Sequence, residues 1–161
     1  MHAGIEFAPL IAYTEQENTG WKKFFEQHPN ALDLPCDVAG AGTVRELTFH
    51  TLAVHLMFGN LLLGLPRPDF KTLPHATLEE LFAVGDQGIA KTRKFLASAS
   101  EADWDVVVPL GFRDLQASKR KMLMQSILHG VHHRAQLATL LRQNGFKQDW
   151  IHDFIVSGVM K

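Results

Sequence analysis

The chain has 161 residues and a net charge of −1, with 46% hydrophobic and 20% charged residues, the make-up of an ordinary globular domain that buries roughly 70% of its unfolded surface. Acids and bases are interspersed, which excludes a polycationic nucleic-acid face; the one basic run, Lys119-Arg120-Lys121, is too short to make one. A lone cysteine, Cys36, excludes an internal disulfide and fits a reducing cytoplasm, and the opening residues lack the basic-then-apolar order of a signal peptide.

The first predicted helix starts near Ala8-Pro9, where proline suits the first turn, and runs to about Gln27. Leu10, Tyr13, Glu17, Trp21 and Phe24 recur at steps of three and four along it. His28-Pro29-Asn30 ends it, and a loop follows over residues 31–42. Thr43 and Glu46 read as a capping box for a second helix, whose stripe is Leu47, His50, Val54, Met57 and Leu61. Its apolar stretch, residues 49–65, is broken by His50, His55 and Asn60, so it is a core helix and not a membrane span.

After a polar, proline-rich linker, Thr77 and Glu80 make a second capping box, and Leu78, Leu81, Gly85, Ile89, Thr92 and Leu96 stripe a third helix. Residues 105–109, with Leu110-Gly111-Phe112 after them, read as a short β-hairpin around a Pro-Leu-Gly turn. Such a hairpin is marginal alone and must pack on the helices. The fourth helix is expected to begin around residues 116–118 and to end near Arg142, with Asn144-Gly145 as its C-terminal cap. A tail carrying Trp150, Ile151, Phe154 and Ile155 is expected to cross the bundle. No internal repeat or domain boundary interrupts this order, so residues 1–161 read as a single all-α domain, a four-helix bundle with a hairpin before the last long helix.

Nine histidines are many for such a chain. His2, His28, His75 and His152 lie at ends or in polar, proline-flanked surroundings and read as solvated. His129 and His133 are four apart on the fourth helix, one turn apart on one face. A single buried imidazole is most simply a hydrogen-bonded core residue. Two at this spacing bring a metal site level with that reading, because each unsatisfied group costs roughly 1–3 kcal/mol. His50, in mid-stripe on the second helix, tips the balance: three imidazoles aimed at one core are cheaper to bury around a cation. Three protein ligands leave an open position, as catalytic metal sites do.

His55 falls off that stripe and reads as a structural or rim residue; His132 reads as a hydrogen-bonded residue or one at the edge of the site. Arg134 points away from the ligand face, towards an acid on another helix, and Gln136 is placed to fix the tautomer of His133. Gly130 and His132 stand where zinc-protease signatures carry glutamate, so that mechanism lacks its general base. There is no Cys-x-x-Cys pair, no phosphate-binding glycine loop and no Gly-x-Ser-x-Gly elbow.

The string HGVHHRAQ of residues 129–136, followed by LLRQNG at 140–145, resembles the DinB/YfiT-like superfamily, whose hallmark is His-x-x-x-His-Arg-x-Gln with a Leu-Arg-x-x-Gly end. TVRELTFH at 43–50 resembles that family's first metal histidine, and Ala135 stands where glycine is frequent. The resemblance implies an up-down-down-up bundle, frequent homodimers, and a zinc or nickel ion on His50, His129 and His133. It also implies a metal-dependent enzyme acting on a small molecule, either an S-transferase or isomerase using a low-molecular-weight thiol, or a hydrolase. A non-catalytic interaction or stress-response module stapled by its metal is the alternative. No nucleic-acid or membrane partner is expected.

Overall fold

The computed structural model describes residues 6–160. Four long helices, α1 (Phe7–Gln27), α2 (Val44–Leu62), α3 (Leu78–Ser98) and α4 (Lys119–Gln143), account for most of it. Ahead of α4, β1 (Val107–Pro109) and β2 (Gln116–Ser118) pair antiparallel, Val107 opposite Ser118 and Pro109 opposite Gln116. No helix among the described residues is long and apolar enough to cross a membrane.

The helix starts follow the capping chemistry. Thr77 Oγ1 accepts from Glu80 N–H at 3.1 Å while the Glu80 carboxylate accepts from Thr77 N–H at 3.0 Å, a complete capping box. At α2 the box is half made: Thr43 caps Glu46, but the Glu46 carboxylate reaches one residue further back, to Gly42 N–H at 2.6 Å. Residues 116–118, expected as the first turn of α4, form β2 instead. Ser118 is extended and accepts from Lys121 N–H at 3.3 Å, so the helix cannot start before Lys119. The hairpin turn is also longer than a Pro-Leu-Gly turn. Gly111, Arg113 and Asp114 all take positive φ, and Leu110 N–H closes the loop on Leu115 O at 2.9 Å.

Packing centres on α2, which lies against both α3 and α4, with α1 against α3. Glycines let α2 and α3 approach closely: a Cβ on Gly88 would sit 2.6 Å from His55 Cδ2 and 2.9 Å from Leu56 N. The core divides into two apolar clusters. One gathers Trp21, Phe24 and Phe25 with Leu47, Leu52, Leu81, Leu137 and Leu141; the other gathers Ile11 with Met57, Phe58, Ile89, Met122 and Ile127. The hairpin meets the requirement to pack, with Leu110, Val108 and Ala117 laid on the second cluster. Where the helices pass from one cluster to the other they carry a layer of buried polar residues, Glu17, His55, His133 and Arg134, and Thr92 and Ser126 meet His55 from within the second cluster. His133 belongs to this layer, and His129 is one turn from it on α4.

The tail does cross the bundle, with Trp150 and Phe154 against α1 as expected and His152 inward in place of the two isoleucines. Trp150 and His152 dock on α1, their rings 5.0 and 5.2 Å from Trp21, whereas Ile151 and Ile155 stay exposed. His152 is therefore not a solvated residue: its Nδ1–H donates to Glu17 Oε2 at 2.7 Å. His75 and His28 are half-buried as well, His75 stacked on Phe49 at 3.9 Å and His28 against Phe24 at 4.8 Å. Sequence neighbours mark these three as polar, but tertiary aromatic contacts cover them. His2 lies outside the described residues.

Candidate metal centre

The i, i+4 spacing on α4 puts His129 and His133 side by side, with Nε2 atoms 3.1 Å apart. From α2, His50 brings its own Nε2 to 3.1 Å from that of His129. All three residues thus offer a ring nitrogen to one point, the offered atoms lying within 4.8 Å of one another. His133 is buried, and His50 and His129 are half-buried. Burial, reinforced by the neighbouring imidazoles, lowers the pKa of His50 and of His129, the latter to about 3. Burial lowers that of His133 against a raising hydrogen bond from Gln136. All three are neutral at pH 7, the form that ligates metal.

The donor set fits a divalent cation. Gln136 Oε1 lies 2.7 Å from His133 Nδ1, so that nitrogen carries the proton and Nε2 presents its lone pair to the cluster. Neutral imidazoles alone cannot satisfy both Nε2···Nε2 contacts with full hydrogen bonds: a proton on His129 Nε2 has two acceptors to serve, and a proton on His50 leaves the other contact with none. A cation serves all three lone pairs at once. Nitrogens at ~2.1 Å from one tetrahedral zinc lie roughly 3.4 Å apart, close to the separations seen here.

The neighbouring histidines are sorted by the same contacts. His55, 6% exposed, is a structural residue: Ser126 Oγ lies 2.9 Å from its Nδ1 and Thr92 Oγ1 3.4 Å from its Nε2. Burial, and secondarily Arg134, pushes its pKa down to about 4. His132 is exposed at the edge, its ring 5.1 Å from that of His133. Arg134 finds its acid on α1, Nε lying 3.9 Å from Glu17 Oε2. Glu17 also accepts from Trp150 Nε1 at 3.1 Å. Glu17 stood in the sequence as one member of an apolar stripe, and an acid in such a stripe is the signal that marks a buried ion pair.

Sequence reasoning missed the cavity beside the histidines. It measures about 470 Å³ and lies between α2, α4, the hairpin and the linker after α2, with His50 and His129 in its wall. Val54, Met57, Phe58, Leu110 and Met122 are among its apolar residues, and Arg67 and Lys121 are its cations. These residues come from segments distant in sequence, so no spacing announces them.

None of the curated proteins compared matches the sequence. The sequence model of the DinB family matches residues 7–155, the four helices, the hairpin and most of the tail, and the chain therefore belongs to the DinB family.

Proposed function

We propose that this protein is a metal-dependent enzyme that binds one zinc or nickel ion through His50, His129 and His133 and acts on a small molecule held in the adjoining cavity. The observation that carries the reading is the convergence of three neutral imidazoles, two of which, His50 and His129, line a 470 Å³ cavity, a volume in the range of small-molecule sites. A three-ligand site open to a cavity is the pattern of catalytic rather than structural zinc. A divalent ion held there supplies Lewis acidity, which lowers the pKa of a coordinated thiol or water towards neutrality.

The chain's own residues do the rest. Gln136 holds His133 in the tautomer that presents Nε2, burial keeps the imidazoles unprotonated, and the apolar wall excludes water from the reacting groups. Family membership supports thiol-dependent S-transfer or isomerisation as the reaction, with hydrolysis as the second choice. Calorimetry of glutathione binding separates them: binding to zinc-loaded but not to metal-free protein is expected, and equal binding to both contradicts the thiol reading.

The same proposal covers the rest of the molecule. A single domain is supported by four helices that each run through both apolar clusters. The up-down-down-up connection is supported by their order: α1 and α4 pass from the Ile11 cluster to the Trp21 cluster, and α2 and α3 pass the other way. A cytoplasmic setting agrees with a single free cysteine. Self-association into a homodimer is supported by Met124, Leu128 and Val131, which form an exposed apolar row on α4.

A further inference from the structure

We infer that the cavity takes a small molecule with an apolar body and a carboxylate, Arg67 binding the carboxylate while the body extends towards His50 and His129. The inference rests on reading the cavity as the substrate site, and it names the class of substrate. The lining has two permanent cations, Arg67 and Lys121, and no carboxylate among the described residues. Those two side chains make the charge of the wall positive, and an anion is the complement.

Arg67 is held for this role. Its guanidinium carbon lies 5.1 Å from the Phe112 ring centroid and 5.7 Å from that of Phe70. Its Nη1–H donates to Gly111 O at 3.3 Å. Arg67 is the one arginine in the cavity lining, and it makes no ion pair with an acid among the described residues. Two aromatic faces and one carbonyl thus fix the planar group and leave its remaining N–H donors for a ligand. A fork of parallel N–H groups matches a carboxylate. Val54, Met57, Phe58, Leu110 and Met122 in the same wall reward an alkyl or aryl body.

Octanoate and its uncharged counterpart octanamide test this by titration calorimetry. The protein is used zinc-loaded, metal-free, and as the Arg67→Gln and Arg67→Lys variants. Arg67 is exposed on a linker, and unchanged thermal melting checks that the variants fold. On metal-free protein, octanoate is expected to bind about tenfold tighter than octanamide. Arg67→Gln removes that difference, and Arg67→Lys restores part of it. Equal binding of the two ligands, or binding of neither, overturns the inference. Octanoate binding that needs the metal and ignores Arg67 also overturns it, and leaves the metal site standing. Binding that depends on Arg67 in protein that takes up no zinc supports it while removing the metal reading.

Discussion

At the scale of single residues, the histidines divide by what their ring nitrogens face. His129 Nε2 faces two other Nε2 atoms, whereas both nitrogens of His55 face hydroxyls. Replacing His129 or His50 by alanine should therefore abolish metal retention. His55→Ala should keep the metal and lose about 2–4 kcal/mol of stability, through a cavity and two stranded hydroxyls. Metal content and urea denaturation of the three variants check this, and equal metal loss in all three contradicts the assignment. Gln136→Ala, which frees the His133 tautomer, should weaken metal binding about 10–100-fold in a competition titration with a chromophoric chelator. Glu17→Gln strands Arg134 in the polar layer and should cost about 3–5 kcal/mol with metal content unchanged; a loss under about 1 kcal/mol would show the pair to be idle. The ligand residues were legible because their spacing is a local property of two helices. Arg67 and Lys121 were not, because a cavity wall is assembled only by tertiary packing.

At the scale of elements, legibility followed the strength of the local signal. Periodic apolar stripes and threonine caps marked α1, α2 and α3 to within a residue or so, and the Asn144-Gly145 end of α4 held in the same way. The start of α4 did not, because Gln116-Ala117-Ser118 has no strong propensity and its pairing with Val107–Pro109 decides its state. The tail was right in its course and partly wrong in its contacts: Trp150 packs as expected, but the buried Glu17 carboxylate recruits His152 where hydrophobicity pointed Ile151 inward. The α2–α3 interface yields a test of its own. Glycine to alanine within a helix normally stabilises by about 1 kcal/mol. At Gly88 the added carbon meets His55 and the Leu56 backbone, so Gly88→Ala should instead destabilise by about 1–3 kcal/mol in chemical denaturation. A neutral or stabilising result would contradict the close approach of the two helices.

At the scale of the whole molecule, a polar layer between two apolar clusters makes stability depend on pH and on metal. His55 takes up a proton only near pH 4 when folded but near 6.5 when unfolded. Below pH 6.5 the unfolded chain thus binds more protons, and the contribution is complete above 6.5 and lost as pH falls towards 4. The loss is on the order of 3 kcal/mol, and denaturation of wild-type and His55→Gln protein at pH 7 and near pH 4.5 should show a smaller decline in the variant. An equal decline in both would place the acid sensitivity elsewhere. The central claim is the metal, and it is tested most directly by elemental analysis of protein purified without a histidine tag, beside the His129→Ala variant. The account predicts about one equivalent of zinc or nickel per chain in the wild type and almost none in the variant. Essentially no metal in the wild type, even after incubation with both ions, would contradict it and return His50, His129 and His133 to the role of hydrogen-bonded core residues.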